Sequence, residues 1–212
     1  MQLCLINGLC QRALNGKPMR SRKELSIEAT RAALIGSARK HFSRQGYSEA
    51  EVSRIAADAG VTTGAIYHHY SGKQGLFQAV AEELEAEILA TAASIECANP
   101  WQRLRLGFEK LIDICASPEV QRIIFIDAPQ VIGPDRWREI ELRYAYGALR
   151  SVLGTLRDAR VIKPYPVDLI ARTLLALLHE ASAEVARSRH DPDIRIQISE
   201  LVAAILDVFL VH

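Results

Sequence analysis

Between residues 62 and 73 the chain gathers polar groups on a background of small residues: Thr62-Thr63-Gly64-Ala65, then Tyr67, His68, His69 and Lys73. Phenol, imidazole and ammonium groups all donate to phosphate oxygens, which fixes register on a nucleic acid rather than reading its sequence. Small residues let a backbone approach a groove floor, and Thr can hydrogen-bond a base or touch a thymine methyl. The chemistry on offer is binding, not bond making. G-x-S-x-G, H-E-x-x-H and a glycine loop for phosphates are missing from the sequence. The acids of residues 1–75 (Glu24, Glu28, Glu49, Glu51, Asp58) are not paired as general acid–base work requires. Of the four cysteines, Cys4, Cys10, Cys97 and Cys115, none forms C-x-x-C or has His at zinc-ligand spacing. A protein that is not an enzyme, with no metal and no cofactor, is expected. Cys97 and Cys115 read as core or pocket thiols, with redox sensing as the alternative.

The elements that must hold these groups are helices. No alternating strand pattern occurs, and breakers punctuate the chain from Gly46 and Gly60 to Asp191-Pro192. A first helix is expected over about 27–45, with Ser26 as N-cap and Gly46 at its left-handed end. Ile27, Leu34, Ala38 and Phe42 share one face. Ser48-Glu49-Ala50-Glu51 reads as a capping box opening a second helix, whose buried stripe is Val52, Ile55, Ala56 and Ala59. Gly60 admits the positive φ of a tight turn. A third helix, capped by Thr62 or Thr63, follows at once. Ser71-Gly72-Lys73-Gln74 reads as another capping box, opening a long fourth helix through Leu76, Phe77, Val80, Leu84 and Ile88. Two short helices joined by a glycine-containing turn form a helix-turn-helix, and the second presents its N-terminal end to the major groove.

Residues 52–77, VSRIAADAGVTTGAIYHHYSGKQGLF, carry more than spacing. They resemble the signature of the TetR family: a helix-turn-helix, an aromatic-rich recognition helix ending Y-x-x-aromatic, then K-x-x-L-F. Phe42, Gly46 and Tyr47 upstream also fit; Tyr70 stands where Phe is more usual. The resemblance implies that Thr62, Thr63 and Gly64 face bases and that Tyr67, His68 and Lys73 hold phosphates, with His69 and Ala65 beside them. The bland readings stay open: packing for Tyr67 and Tyr70, and a solvated helix start for Lys73.

Beyond residue 97, helices are expected at about 101–116, 119–127, 134–158, 166–188 and 194–210. With one over 72–97 this gives an all-α fold of about nine helices, the number the resemblance implies. The expected division is an N-terminal extension 1–24, a DNA-binding head 25–71 and a ligand-binding, dimerising body 72–212. Residues 1–24 are expected to be poorly ordered, with translation starting at Met19. Ile170, Leu174, Leu177, Leu178, Ala181 and Val185 line the eighth helix, and the ninth is apolar over most of its circumference. Such a helix is buried on two sides. Either both helices are internal or, as the family resemblance implies, they pair with their counterparts in a homodimer.

Phe108, Leu111, Ile112, Cys115, Ile123, Phe125, Ile126, Trp137, Tyr144, Leu175 and His179 are the candidate lining of an effector pocket. A lone His on an apolar helix, as His179 is, more often sits satisfied in the core or at an interface, and Trp137 has an equal claim as a surface-helix anchor. The formal charge is only +1, but residues 1–75 hold eleven Lys and Arg against five acids. A basic head on an acidic body fits a polyanionic partner, or ordinary solvated charge. No apolar run reaches the ~20 residues of a membrane span, and the first residues make a poor signal peptide. A cytoplasmic regulator binding a near-palindromic double-stranded operator and an unidentified small molecule is expected. The alternative is a DNA-binding protein without effector, acting through protein partners or chromosome architecture.

Overall fold

The computed structural model describes residues 21–211. The expectations of a poorly ordered segment and of a start at Met19 fall mostly or wholly on residues 1–20, outside the described residues. Nine helical rods follow in order: α1 (Arg22–Glu49), α2 (Val52–Asp58), α3 (Thr63–Tyr70), α4 (Lys73–Ala93), α5 (Pro100–Cys115), α6 (118–131), α7 (134–158), α8 (Val167–Arg187) and α9 (Pro192–Asp207). No strand occurs among the described residues; one isolated bridge joins Ile162 to Leu210. The all-α expectation holds.

Three helix starts differ from the sequence reading. α1 begins at Arg22, not Ile27, because Ser21 and Glu24 form a reciprocal capping box (Ser21 N–H to the Glu24 carboxylate 2.7 Å; Glu24 N–H to Ser21 Oγ 3.2 Å). Residues 21–24, assigned to the extension, are thus partly helix. The Ser48–Glu51 box does not form. Gly46, at φ 76 and ψ 171, kinks α1 and a last turn runs on to Glu49, so Ser48 lies inside that turn while Glu51 caps α2 without a side-chain bond. The Ser71–Gln74 box does not form either. Ser71 is left-handed (φ 60) and closes α3, and Gln74 instead donates to the Val131 carbonyl at 2.6 Å.

The head core is one apolar cluster. Leu34, Ala38 and Phe42 of α1 meet Ile55 of α2, Ile66 of α3 and Leu76 and Phe77 of α4, all fully buried. Phe42, Tyr47 and Phe77 pack as a trio with centroids 5.1–6.0 Å apart. Such aromatic contacts add about 0.5–1.5 kcal/mol beyond area burial. In the body, α8 packs on α5, α7 and α9, burying Ile170, Leu174, Leu178, Ala181 and Val185. Arg195 of α9 bonds Glu109 and Asp113 of α5 at 2.9 and 2.6 Å. α6 and α7 each contain a π-helical stretch, Gln121–Asp127 and Leu142–Tyr146. Pro129, which lacks an N–H to give the Phe125 carbonyl, follows the first closely.

Candidate nucleic-acid interface and body site

α2 and α3 are joined by Ala59–Thr62, with Gly60 at φ 70. Thr62 takes the N-cap position in extended backbone, yet its side chain makes no capping hydrogen bond. Thr62, Thr63 and Gly64 are exposed together at the N-terminal end of α3, and Ala65 is half-buried behind them. Tyr67 is 59% exposed and His68 is exposed, while His69 is half-buried with its ring edge-on to His68 at 4.8 Å. Ile66 and Tyr70 supply the opposite, buried face. The Tyr70 hydroxyl donates to the Arg31 carbonyl at 3.2 Å, and the Arg31 guanidinium lies 5.2 Å over its ring. Tyr70 is therefore a packing residue that locks α3 to α1.

Lys73 is half-buried at the start of α4. Its ammonium donates to the Ser48 carbonyl at 3.1 Å and sits 4.6 Å over the Tyr47 ring. Burial pulls its pKa down, with Glu49 opposing. Only one of its three ammonium protons is committed by that bond. Gly75 was not foreseen from the sequence: a Cβ there would lie 1.8 Å from the Tyr70 carbonyl oxygen. The α3–α4 corner closes only because that position has no side chain.

The head is docked on α6. Arg39 of α1 bonds Glu119 of α6 through two nitrogens, both at 2.8 Å, and Glu87 of α4 at 2.7 and 2.9 Å. Those carboxylates raise its already high pKa against the cost of burial. Asp127 accepts from the Tyr47 N–H at 2.8 Å and from Arg122 at 3.4 Å, and the Arg122 guanidinium covers Gly46. Of the eleven bases in residues 1–75, Arg39 is thus spent on the joint, while Arg22, Arg31, Lys40, Arg44 and Arg54 remain exposed.

The expected lining of the body divides. Phe108, Ile112, Cys115 and Trp137 are buried at 3, 0, 3 and 4% exposure. Leu111, Phe125, Tyr144 and Leu175 are half-buried, Ile123 is buried, and Ile126 and His179 are exposed. His179 stacks on Phe125, centroids 4.6 Å apart at 27°. Two surface hollows, of about 520 and 390 Å³, lie at the α4–α5 turn (Ala93–Ala98 and Arg103) and between α5 and α9 (beside Trp101, Leu106 and Leu206). Neither includes a residue of the expected lining. Two acids the sequence reading passed over stand among those residues. Burial pushes Glu85 of α4 up to about 7, helped by Glu141. Burial also raises Glu141 of α7, with Arg138, His179 and the Trp137 indole opposing. Cys115 is pushed up to about 12 by burial and by Glu85, so its thiol stays protonated and inert. The signal was present: Phe77, Ala81, Glu85 and Ile88 share one helical face, and an acid interrupts an apolar stripe.

Comparison with known proteins decides the family. Residues 34–80 match the model of "Bacterial regulatory proteins, tetR family", and residues 101–209 match "Tetracyclin repressor-like, C-terminal domain". The chain belongs to the TetR family. It is 39% identical over 183 residues to the HTH-type transcriptional repressor Rv1474c of Mycobacterium tuberculosis, covering 86% of this chain and 91% of that one. It is 42% identical over 151 residues to the HTH-type transcriptional regulator SrpR of Pseudomonas putida, covering 71% and 70%. A crystal structure of a TetR-family regulator from Pectobacterium atrosepticum superimposes with a TM-score of 0.72 at 28% identity, covering 91% of this chain and 99% of that one. This TetR-family protein is accordingly a DNA-binding transcriptional regulator with a helix-turn-helix. No helix among the described residues is long and apolar enough to cross a membrane.

Proposed function

We propose that the protein is a ligand-responsive repressor that binds a near-palindromic operator as a homodimer. The observation that carries the DNA reading is the exposed start of α3. Thr62, Thr63 and Gly64 stand clear of the head with no capping bond to occupy Thr62, on a helix pinned from behind by Ile66 and Tyr70. In this reading these three meet base edges, while Tyr67, His68 and Lys73 hold phosphates, with Ala65 and His69 alongside. The head is 25–71 and the body 72–212.

Dimerisation rests on α8 and α9. Val202 and Leu206 of α9 are buried within the protomer, whereas Leu201 and Val208 are 59% and 58% exposed, and Ile196 is 56% exposed. Leu169 of α8 is 55% exposed. Apolar positions left open on both helices suit a second copy, and a two-fold axis would set two α3 helices on two half-sites.

Effector binding would shift the population between a state whose heads fit adjacent major grooves and one whose heads do not. α4, rooted in the head core by Leu76 and Phe77 and in the body by Leu84 and Glu85, is the element both states must share. A second reading, DNA binding without a small-molecule effector, draws support from the close packing of Phe108, Ile112, Cys115 and Trp137.

The test is binding to DNA from upstream of the protein's own gene, titrated in salt against unrelated competitor. Retention, lost in Thr63→Ala, is the expected result. A protein that binds no duplex even at low salt refutes the reading, because phosphate contacts alone give non-specific binding there.

A further inference from the structure

α2 is seven residues long, fully buries only Ile55 and Ala56, and carries no capping side-chain bond at its start. A helix so short is not stable by itself, and its direction comes from what it touches. Apolar burial holds it down without aiming it, whereas hydrogen bonds are directional. Two polar contacts reach its last turn from one face of α1, where Ser37, His41 and Gln45 stand four residues apart. The buried Ser37 hydroxyl donates to the Ile55 carbonyl at 2.8 Å. One turn further along α1, His41 Nε2 meets the Asp58 carboxylate at 2.7 Å, and the Gln45 amide lies 3.5 Å from His41 Nδ1.

Asp58 stands in an unfavourable place. It is the last residue of α2, where the helix dipole is negative, and no base occupies that turn. The backbone there is already closed: the Gly60 N–H donates to the Ala57 carbonyl and the Val61 N–H to the Ala56 carbonyl, both at 3.0 Å. The carboxylate therefore adds nothing to the ending of the helix; what it offers is a grip for His41. The His41 side chain is 12% exposed against 67% for Asp58, so a nearly covered ring holds an otherwise solvent-facing acid. The turn that leads to Thr62 begins at the next residue, Ala59. Tyr70 pins the far end of α3, whereas the near end, with Thr62, Thr63 and Gly64, takes its place from this turn.

We infer that His41 is a positioning residue for operator recognition: by clasping Asp58 it sets the angle at which α2 delivers the start of α3 to the base edges. This rests on the operator-binding reading and adds to it a residue of α1 that acts through Asp58 and the turn. Phosphate contacts are made by long, adaptable side chains and carry no sequence information, whereas hydrogen bonds to base edges weaken steeply as the donor tilts. The clasp therefore bears on preference between sequences and not on general affinity for duplexes.

The test uses the full-length protein and the duplex it enriches most strongly from a random-sequence pool, with a scrambled duplex of the same composition for comparison. The readout is the ratio of the two affinities, from which any effect on all duplexes alike cancels. His41→Leu and Asp58→Ala should each lower that ratio by about threefold or more, the scale of one partly covered charged pair. The double variant should lose no more than either single one, because the two side chains act as a unit. His41→Gln, which offers an amide N–H near the place of Nε2, should recover part of the ratio. Circular dichroism melts establish that each variant folds; Asp58→Ala takes an acid from the unfavourable end of a helix, so its melt should hardly move. An unchanged ratio in folded His41→Leu or Asp58→Ala, losses that add in the double variant, or a His41→Gln no better than His41→Leu each overturns the inference and leaves the operator reading in place. If the parent protein enriches no duplex at all, the operator reading falls and the inference falls with it.

Discussion

Replacing Glu85 with Gln should shift the protein's stability, relative to the parent, in favour of the variant as pH rises. The carboxyl titrates at about 7 in the folded protein against an ordinary 4.5. At roughly 1.4 kcal/mol per pH unit, that gap amounts to about 3 kcal/mol. Between those two pH values the folded protein keeps a proton that the unfolded chain has released. Stability therefore falls as pH rises through the window, and the penalty is absent below it and complete above it. Gln does not titrate, and whatever its buried amide costs is the same at every pH. The stability advantage of Glu85→Gln over the parent should consequently widen by up to about 3 kcal/mol between pH 4.5 and pH 8. At 2–4 °C per kcal/mol for a chain of this size, that is a melting shift of roughly 6–12 °C. The assay is thermal or denaturant unfolding across that range at one fixed protomer concentration, since the stability of the proposed homodimer depends on it. Parallel curves for the two proteins would refute the assignment of Glu85 as a carboxylate buried without a partner.

Other outcomes follow from the same structure. Gly75→Ala drives a methyl into the Tyr70 carbonyl and should cost about 1–3 kcal/mol or more, with loss of operator retention measured alongside the melt; an unperturbed melt would contradict the tight corner. Glu119→Gln leaves one side of the Arg39 guanidinium unmatched and should destabilise by about 1–2 kcal/mol, with amide exchange rising at the α1–α6 seam first. Thr63→Ala should weaken operator binding by about 1–3 kcal/mol at unchanged salt slope. Lys73→Ala should weaken all duplexes alike and lower that slope by about one. Leu201→Glu should shift the sedimentation profile from dimer to protomer; an unchanged profile would place the interface elsewhere.

The fold class was legible because helical periodicity and glycine punctuation are local signals, and α5 to α9 fall within a few residues of where the apolar spacing puts them. The cap assignments failed for an equally local reason. Ser48 and Ser71 both fit S-x-x-E/Q, but Gly46 carries the chain past Ser48, and the left-handed Ser71 closes α3 with its backbone N–H on the Tyr67 carbonyl instead of capping α4. Thr62 and Thr63 could be read from the turn before them. What joins head to body could not, because Arg39–Glu119 and Tyr47–Asp127 are each separated by 80 residues. Glu85 was readable in principle as an acid inside the Phe77–Ala81–Ile88 stripe. That it lacks a partner depends on how three other helices pack around it.

The wide turns in α6 and α7 act as phase slips. An α-helix advances its side chains by 100° per residue, so a stretch that holds one extra residue shifts every later position around the rod by about that angle. In α6 the slip lets Phe125 face His179 while Asp127, two residues on, faces the Tyr47 amide of the head. Deleting one residue from 121–127 would leave a continuous helix with its last turn out of phase, and the Val131 carbonyl would leave Gln74. A change of length by one, harmless in many surface loops, would here act as a rotation of the joint between the two halves of the molecule.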